Sequence, residues 1–238
     1  MNLTPDPRRL NEYFVTLRNR TLVIMAKAPR PGAVKTRLAA SLSPQAVTDL
    51  YLCLLNDTIA LAKEVRHVDL AIMCPALDVE DLSRAIDGAV RIVPQKGQGL
   101  AAGLTSVFAQ FAAPGQRVVA FDSDSPHLPA SVLEIAFDAL EIRDLVVGPT
   151  HDGGYYLVGA RAPHPDLFAG NAMGTASALE ALLTRARAIG LSVHLTEPFY
   201  DIDVAADLRQ LADELERTPT KAPRTARWLS KSTKEGVG

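Results

Sequence analysis

Short apolar runs alternate with helix-period segments along almost the whole chain, and this alternation constrains the fold more than any other feature. The candidate strands are Thr21–Ala26, Val68–Met73, Val90–Val93, Arg117–Phe121, Leu145–Val147, Tyr155–Gly159 and Ser192–Leu195. The candidate helices are Val34–Ser41, Pro44–Glu64, Val79–Ile86, Leu100–Ala112, Ala130–Leu140, Thr175–Ile189 and Val204–Glu216. Brief runs rich in Val, Ile and Leu suit strands buried on both faces. Interleaved with helices, they predict an α/β fold with a mostly parallel central sheet and helices on both faces. The helix starting near Pro44 carries Val47, Leu50, Leu54, Ile59 and Leu61 at roughly helical period. Ser43 is suited to cap it, with Pro44 at the first helical position.

A chain of 238 residues fits one large domain or two small ones. No Gly/Ser-rich linker divides it, so residues 21–217 read as one domain. Residues 1–20 read as a polar N-terminal extension and 218–238 as a basic C-terminal tail. The tail holds Lys221, Arg224, Arg227, Lys231 and Lys234 with little apolar content, and is expected to be mobile or loosely docked. A net charge of −2 provides no bulk attraction to nucleic acid or anionic lipid. No apolar run approaches the roughly 20 residues that cross a bilayer, and Met1 to Arg20 lacks the apolar stretch of a secretory signal. Cys53 and Cys74 sit in apolar contexts, as buried thiols do. These features predict a cytoplasmic protein without nucleic-acid or membrane partners.

Chemistry concentrates where strands end. Val118 to Phe121 run directly into Asp122-Ser123-Asp124-Ser125-Pro126. In open α/β sheets, ligands bind beyond the carboxyl ends of strands, and carboxylates there can hold a divalent cation bridging to substrate phosphates. After the first strand comes Lys27-Ala28-Pro29-Arg30-Pro31-Gly32-Ala33-Val34-Lys35-Thr36-Arg37, which crowds four cations into a turn and helix start. Turn and helix N–H groups attract anions, and Lys and Arg neutralise phosphate charge. Neither a Walker A loop nor Gly-x-Gly-x-x-Gly is present; the alternative is a basic surface loop.

Gln95-Lys96-Gly97-Gln98-Gly99 would let a backbone approach a ligand, with Gln95 and Gln98 reading a base edge, or would be an ordinary turn. Asp152-Gly153-Gly154 reads as a tight hairpin turn, or as a platform beneath a sugar with Asp152 accepting its hydroxyl. In Tyr200-Asp201-Ile202-Asp203, Asp203 suits an N-cap for the last helix; Asp201 is then a second cation carboxylate.

Together, Lys27-x-Pro29-x-Pro31-Gly32-x-Val34-Lys35-Thr36-Arg37-Leu38, Ser123-Asp124-Ser125-Pro126, Asp152-Gly153-Gly154-Tyr155-Tyr156-Leu157 and Asp201-Ile202-Asp203 resemble the GT-A superfamily of nucleotide-diphospho-sugar transferases. More narrowly, they resemble a bacterial family described as glycosyltransferases or as transferases associated with radical-SAM and selenium proteins. Its relatives include phospholactate and molybdenum-cofactor guanylyltransferases. The resemblance implies that Lys27, Gly32, Lys35, Arg37, Gln95 and Gly99 meet the nucleotide. It implies Asp124, Asp201 and Asp203 around Mg²⁺ or Mn²⁺, and catalytic roles for Lys35, Asp124 and Asp152. The chain departs from the pattern at Asp122, where the family usually has Gly. It also departs at Leu100-Ala101-Ala102-Gly103, where a Leu-Gly-x-Arg is common, and at Met173-Gly174-Thr175, where Trp-Ser-Thr is common. The expected partners are an NTP or nucleotide sugar and a small-molecule acceptor. The cation-rich loop favours nucleotidyl transfer from an NTP, with glycosyl transfer and non-catalytic nucleotide binding as alternatives.

Overall fold

The structure is a computed structural model and describes residues 19–170 and 174–234. The proposed extension therefore lies almost wholly outside the described residues, as does Met173. A seven-stranded sheet has the order β3-β2-β1-β4-β6-β5-β7. The strands are β1 (Arg20–Met25), β2 (Asp69–Cys74), β3 (Arg91–Pro94), β4 (Arg117–Asp122), β5 (Leu145–Pro149), β6 (Tyr155–Ala160) and β7 (Val193–Leu195). Strand β6 runs antiparallel to β4 and β5, and every other pairing is parallel. The α-helices are α1 (Pro44–Ala62), α2 (Val79–Ala85), α3 (Gly99–Phe111), α4 (Ala130–Ala139), α5 (Ala178–Ala188), α6 (Ala205–Arg217) and α7 (Pro223–Lys234). No helix among the described residues is long and apolar enough to cross a membrane.

Side-chain alternation along the strands divides the core between the two faces of the sheet. Leu22 and Ile24 of β1, with Val119 and Phe121 of β4, pack with α1, α2 and α4 residues such as Leu55, Leu82 and Phe137. Val23, Val118 and Ala120 pack with Leu104, Val107 and Phe108 of α3 and with Leu182 of α5. Ser43 caps α1 as its sequence predicts: its Oγ accepts from Ala46 N at 3.2 Å.

Two elements depart from the sequence reading. The helix expected over Val34–Ser41 is a 3₁₀ turn, Thr36–Ala40, because Lys35 enters it in a left-handed conformation with φ 45°. The expected loose tail is instead α7. A third apolar cluster joins Leu38, Leu50, Leu54, Ile202, Leu211, Leu215 and Ala222, with Trp228 and Leu229 packed against it. Thr225 is fully buried, and Arg224 pairs with Asp57 and Asp87. The basic residues hid a short amphipathic pattern, Ala222, Thr225, Trp228 and Leu229, at helical spacing.

Candidate active site

The order of strands reverses at β1 and β4. Chain connections from β1 lead to β2 on one side, and β4 neighbours β6 on the other. Their carboxyl ends lie side by side, with Met25 in register with Asp122. Such a switch point is where doubly wound sheets bind ligands. Here it opens into a cleft of about 630 Å³ lined by Lys27, Lys35, Arg37, Asp122, Asp124 and Asp203. Met25, Leu100, Leu104 and Gly99 form a more apolar wall.

One wall carries the cations. Gly32 turns the loop after β1 with φ 76°, a left-handed conformation open to glycine; it does not itself line the cleft. The Lys35 ammonium is ion-paired with Asp124 and lies 2.8 Å from Asp203 Oδ1. Arg37 Nη1 stands 3.3 Å from Asp203 Oδ2. Lys27 lines the cleft with an exposed side chain. Arg30, the fourth cation of this stretch, turns away from the cleft. It grips Asp78 and Asp81, while Asp78 Oδ2 accepts from Ala28 N at 2.8 Å. Arg30 thus anchors the loop that the other cations ride on.

The facing carboxylates are incompletely satisfied. Asp122 Oδ2 accepts from Ser125 Oγ at 2.7 Å, but its Oδ1 is buried without a partner. Burial pushes the Asp122 carboxyl up to about 6. Asp201 does not line the cleft; its Oδ1 is likewise buried and unpartnered, and burial, then repulsion from Asp122, pushes it up to about 7. Native structures pair most buried polar atoms, so these two oxygens are acceptors left open to a ligand. Asp203 does not cap the following helix as expected. The Asp207 carboxylate takes that role, accepting from Asp203 N at 2.9 Å and Val204 N at 2.8 Å, which leaves the Asp203 side chain to Lys35 and Arg37. Ile202, fully buried, anchors both aspartates to the cluster beneath α6 and α7.

Hard carboxylate oxygens suit Mg²⁺ or Mn²⁺. Among the described residues, no three His, Cys, Asp or Glu side chains gather closely enough to cage an ion by themselves. That still fits Mg²⁺, which is usually bound through one or two carboxylates plus substrate phosphates rather than by an all-protein cage.

Several expected residues serve the scaffold. Gln95 does not line the cleft; its Nε2 donates to Gly97 O at 3.0 Å and Gly99 O at 3.2 Å, shaping the loop before α3. Gly99 does reach the cleft, at the first turn of α3. Asp152 also stays off the cleft lining. Its Oδ1 accepts from Thr150 Oγ1 at 2.5 Å and Gly154 N at 3.1 Å, and the Thr150 hydroxyl holds its carboxyl below the usual range. A carboxylate so stabilised is a weak base. Gly153 lies against the chain's own backbone: a Cβ there would meet Ala176 O at 2.0 Å. The hairpin reading of Asp152-Gly153-Gly154 is the one that the geometry supports. Both cysteines are free, Cys74 buried and Cys53 half-buried.

Sequence reasoning missed the groups that join the two walls. Tyr51 of α1 lines the cleft; its hydroxyl accepts from Lys27 N at 3.1 Å and lies 3.0 Å from Ser123 Oγ. His127 stacks on Tyr200 at 4.3 Å, and its Nε2 lies 3.1 Å from Tyr200 O. Burial lowers His127 to about 4, so the neutral ring donates to that carbonyl and ties the Asp124 loop to the Asp201 segment. A tyrosine on an apolar helix face and a histidine between prolines carry no sequence signal of such partners.

Comparison with known proteins agrees with this architecture. A crystal structure from Desulfovibrio desulfuricans G20, assigned as a nucleotide-diphospho-sugar transferase, superposes with a TM-score of 0.82 at 26% identity, covering 92% of this chain and 96% of that one. The chain has the nucleotide-diphospho-sugar transferase fold and resembles transferases that carry it. Residues 58–175 match DUF2064, described as an uncharacterized protein conserved in bacteria. A phosphoenolpyruvate guanylyltransferase from Sphaerobacter thermophilus is 29% identical over 198 residues, 81% of this chain and 93% of that protein. A Mycobacterium tuberculosis H37Rv protein whose structure is a complex with manganese shares the fold at 17% identity and a TM-score of 0.54, covering 82% of this chain and 98% of that one.

Proposed function

We propose that this protein transfers a nucleotidyl group from a nucleoside triphosphate to a small-molecule acceptor and releases pyrophosphate. The observation that carries the reading is one cleft at the β1/β4 switch point with Lys27, Lys35 and Arg37 facing Asp122, Asp124 and Asp203. The guanylyltransferase relative and the manganese-bound neighbour support it.

An acceptor oxygen attacks the α-phosphorus. The bond from that phosphorus to the β-phosphate bridging oxygen breaks, and pyrophosphate leaves with the electron pair. Phosphoryl chemistry needs positioning and charge neutralisation above all. Lys35, Arg37 and Lys27 neutralise the departing phosphates from one wall. Met25, Leu100 and Leu104 offer a face to base or ribose. Asp124 and Asp203, with oxygens of the triphosphate itself, would hold Mg²⁺ or Mn²⁺, and Asp122 and Asp201 would add negative charge beside them. When bound, that ion supplies Lewis-acid charge neutralisation on phosphate oxygens. Tyr51 and His127 hold the two walls in register. Cytoplasmic location is part of this reading.

Glycosyl transfer from a nucleotide sugar is the second reading, favoured by the name of the Desulfovibrio neighbour. The committed, low-pKa Asp152 carboxylate weighs against it as an acceptor base. Incubation of each α-³²P-labelled triphosphate with Mg²⁺ and an acceptor panel that includes phosphoenolpyruvate separates the two. Labelled acceptor with equimolar pyrophosphate is expected. Release of a nucleoside diphosphate from a nucleotide sugar, with no pyrophosphate from any triphosphate, overturns the proposal.

A further inference from the structure

We propose that Lys35 is a built-in counter-ion that competes with the divalent cation for Asp124 and Asp203, so that cation and triphosphate bind tightly only together. The inference rests on the nucleotidyl-transfer reading of the cleft and adds a rule for the order of its occupancy.

The geometry behind it is an ion pair made twice. The Lys35 ammonium engages Asp124 and also lies 2.8 Å from Asp203 Oδ1. The side chains of Lys35 and Asp124 are only 12% and 11% exposed, so water screens the pair weakly. These are the carboxylates assigned to the cation. A divalent ion and an ammonium cannot share the same oxygens without strong like-charge repulsion. The cation must therefore displace Lys35, and the displaced ammonium needs a new anionic partner. A triphosphate in the same cleft supplies one. Lys35 is built to switch: Leu38 N donates to Lys35 O at 2.9 Å, and fully buried Leu38 holds the backbone. The side chain itself ends in a flexible four-carbon stem. Coupling of this kind is reciprocal, so the triphosphate tightens the cation as much as the cation tightens the triphosphate.

Lys27 provides an internal control. It lines the same cleft with the same charge, and among the described residues no carboxylate lies within ion-pair distance of it. Mn²⁺ titrations followed by electron paramagnetic resonance, without nucleotide, test the proposal on wild type, Lys35→Gln, Lys35→Arg, Lys27→Gln and Asp124→Asn. Melting curves check that each variant is folded. Lys35→Gln is expected to bind Mn²⁺ about ten-fold tighter than wild type. Lys35→Arg, which keeps charge and pairing, and Lys27→Gln stay within about two-fold. With a triphosphate present the order reverses, and Lys35→Gln becomes the weaker binder by about ten-fold. Equal Mn²⁺ affinity in wild type and Lys35→Gln overturns the competition. So does an equal gain in Lys27→Gln, which would reveal only the general field of the cleft. Mn²⁺ binding that survives Asp124→Asn unchanged removes the cation site itself, and the competition with it.

Discussion

Two carboxylate clusters in this molecule look alike in composition and behave in opposite ways. At the junction of α1 and α7, the fully buried Asp57 side chain accepts from Thr225 N at 2.8 Å and Thr225 Oγ1 at 2.9 Å. It also accepts from Arg224 N and Arg224 Nη1, both at 3.3 Å. Every oxygen is satisfied within the chain. Asp122, which lines the β1/β4 cleft, and Asp201, set back from its lining, each keep a buried oxygen with no partner, and both carboxyls resist ionisation. A carboxylate that serves the fold completes its bonds internally. One that serves a ligand leaves lone pairs over, and the folded chain is destabilised until they are used.

The sharpest way to break this comparison is at Asp124. Asp124→Asn is expected to cut cation-dependent turnover by about a hundred- to a thousand-fold, the range seen when one group stabilising transition-state charge is lost. Its melting temperature should fall by less than that of Asp57→Ala, because Lys35 keeps its pairing with Asp203. A steady-state assay at saturating Mg²⁺, run beside a melting curve, reads both. A large loss of stability with modest loss of turnover would place Asp124 among the structural carboxylates.

Asp57→Ala should do the converse. It strips partners from the buried Thr225 hydroxyl and N–H, and is expected to cost about 3 kcal/mol in urea unfolding. Turnover per folded molecule should be unchanged. Reduced turnover at constant folded fraction would mean that α7 shapes the cleft as well as covering the core.

Asp201 sharpens the contrast through pH. Its carboxyl sits at about 7 and that of Asp122 at about 6, against an ordinary 3.8. Between these values the folded chain binds more protons than the unfolded one. The stability these groups contribute is therefore lost as pH rises through that window. His127, lowered from 6.5 to about 4, acts oppositely, and its contribution is lost as pH falls below its unfolded value. Asp201→Asn should flatten the decline and raise the melting temperature at pH 8 by a few degrees. Added Mg²⁺ should stabilise wild type at that pH and the variant much less. An unaltered pH profile in Asp201→Asn would show that this carboxyl is not strained.

The smallest effect belongs to a charge pair of neither kind. Arg84 and Glu80 pair across one turn of α2 with side chains 65% and 76% exposed. Arg84→Ala should change stability by no more than about 0.5 kcal/mol and leave turnover alone. A larger loss in thermal melts would mean that surface pairs here carry more weight than burial allows.

Much of the fold was legible in the sequence. Each strand lies within a residue or two of its apolar run, because runs such as Val118 to Phe121 are buried on both faces and leave no polar alternative. The cation loop and the Asp122–Asp124 loop were legible for the same reason, as polar sequence abutting a strand end. The C-terminal helix was not, since lysines and arginines at its exposed positions masked the few apolar ones. Nor could the sequence separate Arg30 from Lys35, or Asp207 from Asp203, because neighbouring residues of one charge look the same until their partners are known.

The sequence by itself determined the order of strands and helices and the loops that carry charge, since periodicity and turn chemistry act over a few residues. Only the tertiary structure decided which charges meet. Lys35 finds Asp203 across 168 residues of chain, and Arg224 finds Asp57 across 167. Ion pairing depends on distance through space, and that distance exists only after β1, β4 and the segment before α6 have been packed to one end of the sheet.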